Sequence, residues 1–220
     1  MKNFYSYKAW VLDFDGTLFN NLPVRIFMAI WLIIYYAPRP LRWKEIFILR
    51  EYRRLREKLF AAEAENCHEL QLKNLSERYK VSTKEIWNII NLWTIEKPKF
   101  LIKKFQREKL ITAIKKFQAE GKIIVIYSDN PVAEKIKALD FVPNFYFWSD
   151  DDLIKCMKPN PQGLNNIIKF LKLNRAEILY VGDRDDRDGA CAKNADVDYC
   201  DVKEFIKILM RTDNNGRQKN

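Results

Sequence analysis

Histidine is nearly missing from this sequence: His68 is the only one among 220 residues. The four cysteines, Cys67, Cys156, Cys191 and Cys200, form no CxxC pair, so a structural zinc site has no ligand set. Scattered cysteines in a chain of this size are expected as free thiols in a reducing cytoplasm. Glycine (6) and proline (8) are sparse, which excludes collagen-like and disordered classes. The N-terminal MKNFYSYKAW has neither an apolar h-region nor a cleavage site, so no secretory signal is read there. The most apolar run, residues 26–37, holds twelve residues without a charge, short of the roughly 20 that a spanning helix needs.

What is present is enough for a large core. Hydrophobic residues make up 48% of the chain, and a chain of this length buries its core without disulfide staples. The length exceeds one average domain and falls short of two, which predicts one core domain with an insertion. The net charge of +10 is unevenly placed. Residues 20–107 hold 18 Lys and Arg against 9 Asp and Glu, whereas the rest is nearly balanced. A basic segment of this kind calls for an anionic partner: phosphate esters, nucleic acid or a membrane surface. No nucleic-acid motif accompanies the charge, and no nucleic-acid partner is expected.

Three short apolar runs end in acids or hydroxyls: residues 9–13 (AWVLD), 123–129 (IIVIYSD) and 178–183 (ILYVGD). Such runs read as strands of a parallel sheet buried on both faces. Residues 145–148 and 197–200 are weaker strand candidates. Amphipathic helical patterns separate them: Leu110, Ile114 and Phe117 before Gly121, a helix C-cap; Val132, Ile136 and Leu139; then Leu164, Ile167, Ile168 and Leu171. The alternation predicts an α/β, Rossmann-like doubly wound fold. Residues 20–105 break it and read as wholly helical, with Ser82 as a helix N-cap. The expected organisation is a core of residues 1–19 and 106–212, a helical insertion at 20–105 and a flexible tail at 213–220.

In open α/β sheets ligands bind beyond the carboxyl ends of the strands. All three strong strands place chemistry there: Asp13 and Asp15; Ser128 and Asp129; Asp183 and the acids through Asp188. Crowded carboxylates repel one another unless a cation sits among them, and an oxygen cluster without histidine suits Mg²⁺.

These residues resemble the motifs of the haloacid dehalogenase superfamily, in its phosphatase branch whose helical cap lies between the first two motifs (phosphoglycolate-phosphatase-like). Asp13-Phe-Asp15-Gly16-Thr17 resembles the DxDGT motif, Ser128 the second motif, Lys158 before Pro159 the third, and Gly182-Asp183 through Asp188 the GDxxxxD motif. Each alone has a structural explanation, a turn at Gly16 or a cap at Asp183. The four in order make the signal specific. The resemblance implies Asp13 as nucleophile and Asp15 as general acid and base. It implies Mg²⁺ held by the Asp13 carboxylate, the Asp15 backbone carbonyl and Asp183. Ser128 and the backbone around Gly16, Thr17 and Asp129 would bind phosphoryl oxygens, and Lys158 would balance charge there. Asp188 would orient Lys158 or a metal-bound water, with Asp186 the competing second acid. The Asp129 side chain is expected to cap the following helix rather than meet substrate.

The implied activity is a Mg²⁺-dependent phosphomonoesterase acting on a small soluble ester. The alternatives are a phosphomutase of the same superfamily, or a peripheral membrane or partner-binding protein using the basic cap. Asp15 argues against a dehalogenase, which has no leaving oxygen to protonate. Helix 26–37 is expected to be enclosed by the apolar faces of residues 43–59 and 86–93; otherwise it is a dimer or membrane contact. The basic face at Arg50, Arg53, Arg54 and Lys58 is expected to be solvated, with Arg53 and Glu57 paired at i,i+4.

Overall fold

A computed structural model describes residues 4–62 and 66–217. The three apolar runs that end in acids or hydroxyls become strands β1 (Ala9–Leu12), β2 (Ile123–Ser128) and β4 (Ile178–Gly182), and the two weaker candidates become β3 (Phe145–Trp148) and β5 (Asp198–Asp201). They form one parallel sheet in the order β3-β2-β1-β4-β5. The weak candidate at 197–200 forms one residue later than expected. Alternation decides which layer each side chain joins. Trp10, Leu12, Ile124 and Ile126 bury on one face with Leu110, Ile114, Phe117 and Phe205. Ala9, Val11, Val125 and Tyr127 bury on the other with Leu164, Ile167 and Cys191. Helices on both faces account for the strands being apolar throughout.

The helical segment follows β1 and comprises α1 (Asn21–Tyr36), α2 (Trp43–Ala61), α3 (Cys67–Tyr79), α4 (Thr83–Asn91) and α5 (Pro98–Lys104). Asn20 caps α1 by accepting from the Leu22 N–H, and Ser82 caps α4 by accepting from the Glu85 N–H. A π turn at Leu92–Glu96 joins α4 to α5. The chain leaves and returns side by side: Phe19 bridges Gln106, and the Asn20 N–H donates to the Phe105 carbonyl at 2.9 Å. With both ends pinned together, 86 residues enter between two strands without disturbing their pairing.

The remaining helices are α6 (Glu108–Ala119), α7 (Ala133–Ile136), α8 (Gln162–Leu171), α9 (Ala190–Asn194) and α10 (Val202–Arg217). Gly121 follows α6 with φ of +93°, a left-handed cap that favours glycine. Helix α10 runs into the stretch expected as a tail, and residues 218–220 lie outside those described. The four cysteines are buried and form no disulfide. Among the described residues no helix is long and apolar enough to cross a membrane.

The enclosure expected for the apolar run fails. Helix α1 is not enclosed. It starts at Asn21, a full turn before the apolar run, and buries Val24, Met28 and Tyr36. Leu22, Ile26, Ile30, Ile33 and Ile34 remain exposed. The helices that follow α1 reach one of its sides, and the small insertion has no further element to cover the other.

Candidate active site

Register brings the carboxyl ends of three strands together. Leu12 pairs with Ile126 and with Val181, and the Asp13 N–H continues the ladder to the Val181 carbonyl at 2.9 Å. Asp13 therefore sits between Tyr127-Ser128 on one side and Gly182-Asp183 on the other. Glycine is dictated at two points by close approach. A Cβ at Gly16, whose φ is +99°, would lie 2.1 Å from an Asp183 carboxylate oxygen, and one at Gly182 would lie 2.4 Å from the Asp188 carboxyl.

Lys158 is the hub. Its ammonium is buried and donates to Asp13 Oδ1 at 2.7 Å and to Asp188 Oδ1 at 2.6 Å. Burial works against the charge, but Asp13 and Asp188 overcome it and hold the Lys158 pKa well above its usual value. Tyr180 donates its hydroxyl to Asp188 Oδ1 at 3.2 Å, and Thr17 donates to Asp13 Oδ2 at 3.3 Å. Asp188 lies in a π turn, Asp185–Gly189, that folds it back under β4. Asp186 points away and pairs with Arg184. Of the two acids weighed, Asp188 is the one that reaches Lys158.

Carboxylate oxygens of Asp13, Asp183 and Asp188 lie within 4.8 Å of one another. Desolvation and the charge of Asp188 push Asp183 up to about 6. Three carboxylates face one ammonium, every donor is oxygen, and Gly16 leaves the Asp183 carboxylate room above its backbone. This set fits a hard divalent cation, which would supply the missing positive charge.

The Asp15 side chain turns away from this cluster. It accepts from Lys135 at 3.2 and 3.3 Å and from Asn130 Nδ2 at 3.1 Å. Neither partner is evident in the sequence. Lys135 stands in a one-turn helix among surface charges, and only the fold carries it over β1. Ser128 accepts from the Asn130 N–H at 3.1 Å, fixing the loop that presents that amide. Asp129 does not cap α7. Its buried carboxylate accepts from the Lys158 N–H at 3.0 Å and lies 3.7 Å from Arg187, so it positions the lysine's backbone. Arg107, just after the insertion, donates to the Gly16 carbonyl at 3.1 Å.

A cavity of about 450 Å³ opens between this sheet edge and the helical segment. Its floor carries Asp13, Asp15, Asp183 and Lys158, and its far wall carries Val24, Met28, Tyr52, Trp93 and Ile95 with Arg25, Arg53 and Arg56. The pair of Arg53 with Glu57 is not formed. Glu57 bonds instead to Arg187, tying α2 to the π turn that holds Asp188. Desolvation and the like charge of Arg25 pull the Arg53 guanidinium below its usual range. The basic face of α2 is thus partly cavity wall rather than wholly solvated. Arg56 is fixed by Gln71 and Ser149. His68 stays out of the site, its ring against Trp87 and Trp148.

The family model for haloacid dehalogenase-like hydrolases matches residues 7–196. Solved structures with a similar fold include a 2-haloacid dehalogenase from Pseudomonas syringae pv. tomato, with 17% identity, TM-score 0.60, and 88% of this chain and 85% of that one covered. A candidate β-phosphoglucomutase from Thermotoga maritima is 13% identical with TM-score 0.57, over 93% of this chain and 99% of that one. A magnesium-bound hydrolase of the same superfamily from Bacillus subtilis is 13% identical with TM-score 0.54, covering 88% and 86%. At these identities the likeness is one of fold. Comparison with curated protein sequences gives no match.

Proposed function

The chain belongs to the haloacid dehalogenase-like hydrolases, and from that premise we propose that it is a Mg²⁺-dependent phosphomonoesterase working through an aspartyl-phosphate on Asp13. The observation that carries this reading is the second carboxylate. Asp15 lines the same cavity as Asp13 yet is held by its own donors, Lys135 and Asn130, apart from Lys158. Displacing a halide needs a nucleophile and no proton. Displacing an alkoxide from phosphorus needs an acid as well.

The roles follow from the contacts. Lys158 fixes Asp13 Oδ1, so Oδ2, which receives the longer bond from Thr17, is the oxygen that attacks phosphorus. Asp15 protonates the leaving oxygen and then takes a proton from the water that hydrolyses the acyl phosphate. Ser128, the backbone at Gly16, Thr17 and Asp129, and the Lys158 ammonium stabilise the phosphoryl oxygens. Asp188 and Tyr180 hold Lys158 in place from below. Asp13, Asp183 and the Asp15 backbone carbonyl would hold Mg²⁺, which would supply the positive charge that lets two anions meet. Arg25 and Arg53, which both line the cavity and repel one another, favour an ester that carries negative charge beyond the reacting phosphate.

The test is a screen of alkyl and aryl phosphates with and without Mg²⁺, using wild type and Asp15→Asn. The variant should lose about 10²–10⁴-fold on alkyl esters and far less on nitrophenyl phosphate, whose leaving group needs little protonation. Release of halide from 2-haloacids with no phosphate turnover would overturn the reading. Interconversion of sugar phosphates without release of phosphate would assign the chain to mutases.

A further inference from the structure

The exposed face of α1 lies opposite the face that lines the cavity. Leu22, Ile26, Ile30, Ile33 and Ile34 recur at spacings of three and four, so they form one stripe along the helix. Ile33 and Ile34 are each 66% exposed, and Leu41, just beyond the helix, is 98% exposed. Trp43 and Phe47, at the start of α2, are also exposed. Large apolar side chains left exposed along one helix face mark an interaction site.

The charges around the stripe identify its partner. Between residues 26 and 49 there are three basic side chains, Arg39, Arg42 and Lys44, and a single acid, Glu45. Glu45 is already engaged by Arg42 and by the Tyr36 hydroxyl. Arg39 and Arg42 lie over the Tyr35 ring, 4.5 and 5.4 Å from its centre, at the C-terminal end of α1 and on either side of the exposed Leu41 in sequence. A second copy of this chain would meet the patch with the same cations, like charge on like. Anionic lipid provides the opposite sign together with an apolar layer beneath it.

We propose that α1 and the start of α2 form a peripheral docking surface for an anionic membrane, the isoleucine stripe entering below the headgroups and Arg39 and Lys44 engaging them. At 1.5 Å per residue the helix is about 24 Å long, too short to span, and it lies in the plane of the surface. Trp43, half exposed, follows the end of the helix, where an amphipathic ring favours the boundary between water and lipid. The surface is built on the helix that walls the cavity, so docking leaves Val24 and Met28 in their place there.

The experiment is co-sedimentation of the full chain with vesicles of equal parts phosphatidylcholine and phosphatidylglycerol, beside pure phosphatidylcholine, at low and high salt. The expected result is binding to the anionic vesicles alone, weakened by salt, and reduced at least about tenfold by Ile33→Glu with Ile34→Glu. Both side chains are exposed, and circular dichroism with thermal unfolding verifies that the variant is folded. A second variant, Leu41→Glu, reports on the same surface outside the helix and is expected to weaken binding in the same direction. Absence of binding at low salt overturns the proposal. So does binding unaltered by these substitutions, which would assign attachment to charge alone. A dimer in sedimentation velocity that the substitutions dissociate would overturn it in favour of a second copy.

Discussion

The Lys135 ammonium holds both carboxylate oxygens of Asp15, at 3.2 and 3.3 Å, across 120 residues of sequence. Lys135 is itself nearly buried and lies against the Phe14 ring. The residue proposed to move protons is therefore oriented by a cation that touches neither Asp13 nor Lys158 in the contacts described. Lys135→Met should leave Asp15 with the Asn130 amide as its remaining side-chain donor. A hydrogen bond to a charged group contributes about 1.5–3 kcal/mol, so kcat on alkyl phosphates should fall roughly 10- to 100-fold. Nitrophenyl phosphate should be affected much less. An equal loss on both substrates would mean that Lys135 binds the phosphoryl group rather than Asp15.

Asp13→Asn should abolish turnover while the fold survives, because an amide does not attack phosphorus and keeps the shape of the carboxylate. Lys158 would then retain Asp188 as its charged partner. The check is phosphate release beside circular dichroism. Turnover close to wild type would eliminate Asp13 as the nucleophile.

Metal removal separates chemistry from stability. The acids converge at a sheet edge whose strands are held by apolar layers on both faces, so excess chelator should stop turnover without unfolding the chain. Asp183→Ala should raise the Mg²⁺ concentration needed for half-maximal activity or abolish activity. Full turnover in excess chelator would refute the metal assignment.

Helix α3 supplies a pH test independent of catalysis. Burial, with Arg56 nearby, lowers the His68 pKa below its ordinary value, against the pull of Asp150. The unfolded chain then binds a proton at a higher pH than the folded one. Stability should fall as pH drops below about 6.5, with a slope of at most about 1.4 kcal/mol per unit from this one group. Urea unfolding at a series of pH values, wild type beside His68→Gln, isolates the contribution. The variant should show a shallower decline between neutral pH and the lowered folded value.

The sheet, the insertion and the acids at the strand ends were all legible in local sequence pattern. Residues 9–12, 123–128 and 178–182 are apolar throughout, and only strands covered on both faces satisfy such runs. Period and composition are local properties, and they carry the alternation of strands and helices. The placement of Asp13, Ser128 and Asp183 was legible for the same reason, since each lies at the end of a strand, whereas Lys158 lies in a loop and was marked only by the resemblance of Lys158-Pro159 to a family motif.

Tertiary structure alone decided what lies beside them. Asp15 meets Lys135, Arg187 meets Glu57, and Asp129 holds the backbone of Lys158 rather than capping a helix. Each is a contact between elements far apart in sequence, where a charged side chain looks the same whether it faces solvent or a partner. The fate of α1 is of the same kind. Its sequence is apolar all round, but burial depends on how many neighbours the fold supplies. The insertion supplies them on one side, leaving Ile26, Ile30, Ile33 and Ile34 facing out.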